Sequence, residues 1–375
     1  MKSELRVIRM VLVILFVLIT KTVFPQQPEP RPATPIRHVD MVSTEVREIT
    51  SAIDGQEYKL LISLPPGYND VSKTFPAIYV LDGQWDFLLV SSLIPGQSED
   101  GFLPPSIVVG ITWGGQNPNY DVLRQRDFTP TKGRIPQTGN APNFLSFIKT
   151  QLVPFIDSNY RTAKDDRAIM GTSSGGLFAL FALFHEPTLF NRYIMTSPNL
   201  SYNYEALVAD EKAYAEKSKQ LQARLFMCLG ELEGGKQAMF QSYVDLIRGR
   251  HYQGLELETM VIQGTGHHSS VAEGYLKGLR ATFAPKRLEV SHAILDKYVG
   301  GYKAGNFTRQ VLRDKDQLFF VTPEASKLPM DALTDRDFSV RGLPMVVHFK
   351  QDANGKITGL ESENASGRHF NEKIR

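Results

Sequence analysis

Two patterns of apolar and polar positions divide the chain. From about residue 75 to 283, short apolar runs alternate with longer segments of helical spacing. Ala77 to Leu81, Ser106 to Ile111, Ala168 to Met170, Tyr193 to Met195, Arg224 to Leu229 and Leu255 to Ile262 read as strands. Runs that are apolar throughout suit strands covered on both faces. Between them, Asn143 to Tyr160 sets Phe144, Phe147, Ile148, Leu152, Phe155 and Ile156 along one side of a helix. Gly176 to Phe184, 205 to 222, Gln237 to Arg248 and Val271 to Phe283 also read as helices. Ahead of this unit, Thr44 to Ile53 and Glu57 to Leu64 alternate polar and apolar residues around Asp54 and Gly55, a hairpin signal. This order predicts an α/β fold: a doubly wound, mostly parallel sheet with an antiparallel hairpin at its N-terminal side. Residues 112 to 140, rich in Gly, Pro and Asn, read as one long loop, and such loops are commonly lids or binding loops. After Pro285 the helical spacing stops. A run of short strands opens near Leu295 and includes Arg309 to Leu312, Gln317 to Val321, Met345 to Lys350 and Lys356 to Leu360. These predict a small all-β domain over 290–375, either a barrel or a sandwich.

The N-terminus has its own pattern. Lys2, Arg6 and Arg9 precede a nearly continuous apolar run from Met10 to Ile19. Its length suits a signal-peptide core and is short for a membrane span. Residues 1–25 are therefore expected to be a signal peptide or an uncleaved N-terminal anchor. Residues 26–42, rich in Pro and polar side chains, are expected to be a linker to a main domain over 43–285. This implies an exported protein, periplasmic or extracellular. Composition narrows the chemistry. The formal net charge is +2, which gives no electrostatic argument for nucleic acid or an anionic membrane surface as partner. The one cysteine, Cys228, excludes an intrachain disulfide and a cysteine zinc cluster. No phosphate loop, dinucleotide fingerprint or metal-ligand cluster is present, so no cofactor and no metal are expected. Oligomeric state is left open.

Gly171, Thr172, Ser173, Ser174 and Gly175 form a G-x-S-x-G pentapeptide between a strand and a helix. In that context the glycines allow a sharp turn that lifts the serine hydroxyl above the sheet edge. Ser173 is the candidate nucleophile. A serine needs a base, and the base needs an orienting acid, in the chain order Ser, Asp/Glu, His. His185 and His251 fall away from the right edge, and His292, His348 and His369 belong to or adjoin the β domain. His267 and His268 occupy a strand-exit loop on the correct edge. Of these, His268 is preferred, because Ser269 to Val271 then leads into a helix. The acid is expected after the strand Arg224 to Leu229, at Glu233 with Glu231 as runner-up. The oxyanion hole needs backbone donors: the Ser174 amide and one from Gly83, Gln84 or Trp85. Trp85 serves equally as a substrate-stacking wall or as core packing. Arg124 and Arg126 in the long loop are candidates for an anionic or catechol-like substrate, against an internal Arg–Asp pair that holds the loop down.

Taken together, Leu61 to Tyr68, Phe75 to Gly83, Arg126 to Pro130, Gly171 to Gly176, Ser197 and Pro198, Gly230 to Glu233 and His268 to Val271 resemble the esterase group of the α/β-hydrolases. The likeness covers about residues 43 to 285 and is strongest to the esterases of ferric siderophores. It implies a serine carboxylic-ester hydrolase acting on a small-molecule ester through an acyl-enzyme. An acyltransferase, or a feruloyl or acetyl-polysaccharide esterase, is the alternative on the same scaffold. A non-catalytic exported binding protein is the alternative from another class. One departure is His268, Ser269, Ser270 where that branch tends to have His-Gly-Ser. The C-terminal segment resembles small β domains appended to some exported hydrolases.

Overall fold

The computed structural model describes residues 41–133, 137–284, 288–364 and 366–374. The expectations for 1–25 and for most of the linker lie outside these residues. Eight strands form one sheet: β1 (Thr44–Thr50), β2 (Glu57–Ser63), β3 (Phe75–Val80), β4 (Ile107–Trp113), β5 (Thr162–Thr172), β6 (Arg192–Thr196), β7 (Gln220–Gly230) and β8 (Gln253–Ile262). Their order is β1-β2-β4-β3-β5-β6-β7-β8. The first two strands form the expected hairpin and join β4 antiparallel; β4, β3 and β5 to β8 run parallel. Every residue of β3 and of β4 is buried, as their unbroken apolar sequence requires.

Alternation along the strands separates two cores. On one face Ile78, Val80, Val108, Met170, Ile194 and Phe226 pack with two helices, α1 (Gly83–Glu99) and the later Val271–Phe283. On the other face Ala77, Tyr79, Ile169, Tyr193 and Met227 meet the remaining helices. These are α2 (Tyr120–Phe128), α3 (Ala141–Phe147), α4 (Val153–Asn159), α5 (Ser174–His185), α6 (Tyr204–Lys217) and α7 (Gly234–Gly249); Val271–Phe283 is α8.

Two expectations change here. The 112–140 segment is not one loop. It contains α2, whose N-terminus is capped by the Asn119 side chain accepting from the Val122 N–H at 3.2 Å; Asn followed by an acidic first turn is a helix start that loop composition masked. The single helix expected over Asn143 to Tyr160 is two, joined by a π turn at Ile148–Leu152. Pro154 follows directly, and its missing N–H interrupts the regular ladder.

The second region is a closed barrel. Its strands are β9 (Gly300–Ala304), β10 (Phe307–Asp314), β11 (Gln317–Val321), β12 (Lys327–Ala332), β13 (Asp337–Val340), β14 (Val346–Gln351), β15 (Ile357–Asn364) and β16 (Gly367–Ile374). Each pairs antiparallel with the next, and β16 pairs with β9. Closure removes every free edge. Leu295 does not open a strand. It lies on helix α9 (His292–Tyr298), which inserts Leu295 and Tyr298 into the barrel core. Tyr298 stacks on Phe349 with ring centres 3.9 Å apart.

The barrel packs at the end of α1, where a side chain on Gly101 would collide with the Leu343 carbonyl. Helix α1 starts where β3 ends and runs back towards the start of β4. The barrel therefore meets the main unit at the edge opposite the carboxyl ends of the parallel strands.

Candidate active site

Four strand exits converge at the carboxyl edge of the sheet, where open α/β sheets place their ligands. The first is the turn from β5 into α5. Ser173 has φ 57° and ψ −115°, a region non-glycine residues rarely occupy. Its backbone is pinned on both sides: Ser173 N–H donates to Thr196 O at 3.1 Å, and Asn199 N–H donates to Ser173 O at 2.9 Å. The turn needs its glycines. A Cβ on Gly171 would lie 2.8 Å from Gly175 carbonyl carbon, and one on Gly176 would lie 3.0 Å from Pro198. At the N-terminus of α5, the Ser174 amide has no acceptor among the described residues. Such first-turn amides are ready anion donors.

The second exit leads from β3 into α1. Asp82 takes a left-handed conformation, φ 53°, and its carbonyl accepts from both Trp85 N–H (2.9 Å) and Asp86 N–H (3.1 Å). The Trp85 amide is thus already committed. Of the three expected oxyanion donors, Gly83 and Gln84 keep amides without an acceptor among the described residues. Trp85 does not pack in the core; its side chain is 52% exposed.

The third and fourth exits bring acid and base together. Glu233 lies just before α7 and is buried. Its Oε2 is 2.6 Å from His267 Nδ1 and 2.8 Å from Lys236 Nζ, while its Oε1 accepts from Ser197 Oγ at 2.5 Å and from Gly230 N–H at 3.2 Å. Burial alone would raise this carboxyl, but donors from Lys236, Ser197 and His267 outweigh it and hold Glu233 down to about 2. The carboxylate is therefore ionised across the working range. The preference for His268 is corrected. His268 is exposed and meets His267 edge-on, with ring centres 5.0 Å apart. The reason is the turn at 266–270: Ser270 N–H bonds Gly266 O, and Gly266 N–H bonds Ser269 Oγ. That turn directs the first histidine inward and the second outward. The runner-up acid, Glu231, is exposed and faces no histidine; its Oε2 accepts from Gly264 N–H at 2.8 Å and so holds the same loop. Gly230 lets the two loops touch, since a Cβ there would lie 2.6 Å from Thr265 O.

The two arginines separate. Arg126 directs Nε and Nη2 to Asp127 and Nη1 to Gln56. Asp127, wholly buried, also accepts from Tyr58, Trp113 and Asn140. Arg126 is thus the internal pair that holds its segment down, not a substrate residue. Arg124 grips Asp82 through Nε (2.9 Å) and Nη2 (2.7 Å), and its guanidinium carbon stands 5.5 Å from the centre of the Trp85 ring. It braces the turn from β3 into α1 and backs the exposed indole.

Several contributors carried little sequence signal. Asp82, Ser197 and Ser270 look like loop residues, and only their places at strand exits mark them. Asp86 is tied to the end of β5 through Tyr275: Tyr275 hydroxyl donates to Asp86 at 2.5 Å and accepts from Thr172 at 2.9 Å. Burial pushes Asp86 up to about 6, against the pull of Tyr275. Among the described residues, no His, Cys, Asp and Glu cluster is arranged to hold a metal ion, and no helix is long and apolar enough to cross a membrane.

A strained serine elbow above a mostly parallel sheet, with a carboxylate–histidine pair two exits away, defines an α/β-hydrolase of the serine esterase class. The Putative esterase family model matches residues 51–299, and the chain belongs to that family. It is 28% identical to the ferri-bacillibactin esterase BesA of Bacillus subtilis over 262 residues, which span 64% of this chain and 90% of BesA. Among solved structures, the BES protein of Bacillus cereus is similar with a TM-score of 0.61 at 26% identity, covering 67% of this chain and 99% of that one. An IroE-like serine hydrolase from Shewanella oneidensis gives 0.58 at 26% identity, covering 68% and 85%. The barrel strands β9 to β16 lie beyond the family match.

Proposed function

We propose that the chain hydrolyses small carboxylic esters through an acyl-enzyme on Ser173. The single observation that carries this is the Glu233 carboxylate 2.6 Å from His267 Nδ1, at the same sheet edge as the strained serine. In the reading it supports, Ser173 Oγ attacks the ester carbonyl carbon and His267 takes the hydroxyl proton. Glu233 fixes the ring tautomer and stabilises the imidazolium. The oxyanion is received by the Ser174 amide and by the Gly83 or Gln84 amide, whose loss would remove about 3–4 kcal/mol of transition-state stabilisation. Collapse breaks the ester C–O bond, and His267 returns its proton to the departing alcohol. Water, deprotonated by His267, then releases the acid and restores Ser173.

For the substrate we propose a siderophore-type ester. BesA is named as a ferri-bacillibactin esterase, and the exposed Trp85 ring, held from behind by the Arg124–Asp82 pair, offers an aromatic wall suited to an aromatic acyl group. Export, read from Lys2, Arg6, Arg9 and the apolar run after them, belongs to the same proposal and is checked by cell fractionation. The test is an ester panel with a ferric trilactone, a feruloyl sugar and short p-nitrophenyl esters, together with titration by an organophosphonate. Stoichiometric labelling that disappears in Ser173→Ala is expected, with the trilactone giving the highest kcat/KM. Folded protein that takes no label would end the esterase mechanism; turnover of p-nitrophenyl esters alone would end the siderophore reading.

A further inference from the structure

Two hydroxyls lie buried beneath the Glu233–His267 pair, Ser197 at 1% exposure and Ser270 at 0%. Ser197 follows β6 with φ 47°, and its N–H is fixed to Cys228 O at 2.8 Å. A glycine would sit in this backbone without strain. The serine places Oγ 2.5 Å from Glu233 Oε1 and 3.3 Å from Ser270 Oγ. Ser270 Oγ in turn lies 3.2 Å from His267 O. The contacts close a ring that runs from the carboxylate through Ser197 and Ser270 to the His267 backbone, and through the imidazole back to the carboxylate.

Proton accounting fixes the direction of this ring. An ionised carboxylate only accepts, so the one hydroxyl hydrogen of Ser197 goes to Oε1. Its lone pairs face Ser270, whose single hydrogen is shared between Ser197 Oγ and His267 O. The opposite oxygen of Glu233 is contested. Lys236 Nζ, half exposed, stands 2.8 Å from Oε2 and 3.3 Å from His267 Nδ1. Without Ser197, only the longer Gly230 amide would hold Oε1, and the carboxylate could swing towards Lys236 and water.

We propose that Ser197 is a positioning residue for the esterase reaction: its hydroxyl, backed by Ser270, holds the Glu233 carboxylate on His267 against the competing pull of Lys236. The strained φ serves to deliver that hydroxyl. This rests on the assignment of Ser173, His267 and Glu233 given above.

The test is a double-mutant cycle on the full chain, with p-nitrophenyl butyrate as probe and kcat normalised by organophosphonate titration. Ser197→Gly removes the hydroxyl and suits the backbone; Ser197→Ala removes the hydroxyl and keeps the φ. Both are expected to lower kcat about 10- to 100-fold with KM little changed, the range for losing a hydrogen bond to a charged group. In a Glu233→Gln background, Ser197→Gly should remove less than about threefold more, because the two residues act as one unit. Parental kcat in Ser197→Gly, or the same fold loss in both backgrounds, overturns the inference and leaves the triad standing. Parental kcat in Glu233→Gln overturns the triad assignment and the inference with it. Should Ser197→Gly fail to fold, Ser197→Ala carries the cycle with the same criteria.

Discussion

Each region of this molecule holds a histidine against carboxylates, and the two arrangements differ in one respect. In the sheet domain, His267 gives Nδ1 to Glu233, and its Nε2 has no hydrogen-bond partner among the described residues. In the barrel, His348 gives Nδ1 to Asp337 at 2.7 Å and Nε2 to Glu363 at 3.0 Å. The first ring has a nitrogen free to exchange a proton with a substrate or nucleophile. The second has both nitrogens engaged, so it ties β13, β14 and β15 together and has nothing left for catalysis. Their settings follow the same division. The Glu233 pair stands where strands end and loops converge. The His348 cluster lies along the outer wall of a closed barrel whose interior is filled by Tyr298, Tyr302, Phe338 and Phe349. A histidine beside an acid thus says little until the second nitrogen is traced.

The largest effect expected from this contrast is on turnover. His267→Ala should lower kcat/KM by about 10⁴-fold or more, as loss of a triad base does elsewhere. His348→Ala should stay within about twofold, and His268→Ala within a few-fold. Steady-state hydrolysis of a p-nitrophenyl ester, per mole of phosphonate-reactive enzyme, decides it. A collapse of activity in His268→Ala with His267→Ala active would reverse the assignment.

Next in size is a stability effect confined to the second region. Phe349→Ala removes the ring on which Tyr298 stacks and should destabilise the barrel by about 3–5 kcal/mol. Calorimetry should show the barrel transition lowered, while ester turnover at 25 °C is unchanged. Equal losses in both would mean that the regions unfold as one unit.

How much of this could be read from the chain depends on distance along it. The α/β order, the hairpin at Asp54 and Gly55, and the serine elbow are local patterns, and they are legible in period and turn chemistry. Much of the barrel was not: β12 sets Leu328, Pro329 and Met330 side by side without alternation, β13 alternates but is only four residues long, and β16 has only Phe370 and Ile374 as apolar side chains. Within the site, a histidine-bearing loop was found, but which of two adjacent histidines turns inward depends on hydrogen bonds at Gly266 and Ser270 that no spacing encodes. Ser197 and Asp82 stand among the residues that carry the resemblance, but without roles, since those roles exist only across strand exits. Arg126 stood open between substrate contact and an internal pair with Asp127; what decides for the pair is that Tyr58, Trp113 and Asn140 converge on the same carboxylate from three other segments.

A smaller effect concerns two carboxyls at the active edge, whose pH dependences have opposite signs. Glu233 is held at about 2, below its ordinary 4.5. It contributes stability above pH 4.5, and this is lost as pH falls towards 2. Asp86 is raised to about 6 from 3.8. The folded state favours its protonated form, so this contribution is full below 3.8 and is lost as pH rises through 6. Asp86→Asn should therefore gain in Tm relative to the parent between pH 4 and pH 7, by a few degrees, whereas Glu233→Gln should lose relative to the parent over pH 3 to 5. Parallel pH profiles for the two variants would show that burial does not govern Asp86.

The smallest expected effect is the sharpest test of the division between the regions. Every side chain placed at the site comes from residues 82 to 275, and all of them stand at the carboxyl edge of the sheet. The barrel meets the main unit at the other edge, through Leu343 against Gly101. Ending the chain after Ala284 removes the barrel and also α9, which would otherwise expose Leu295 and Tyr298 without their barrel partners. It keeps the C-terminus of α8, whose Thr282 carbonyl is held by Arg192 at 2.9 Å and by Arg224 at 3.2 Å. Helix α8 carries Tyr275 and follows the His267 loop directly, so this anchor matters more to the site than anything beyond it. The shortened chain should hydrolyse a small ester with kcat/KM within about threefold of the full one, because no group that binds or moves a proton has been removed. A loss above tenfold in shortened protein that still folds and takes up phosphonate would mean that the barrel shapes the site through the sheet. A loss confined to large substrates, with small esters unaffected, would instead make the barrel a substrate-recruiting domain and leave the chemistry with the eight-stranded sheet.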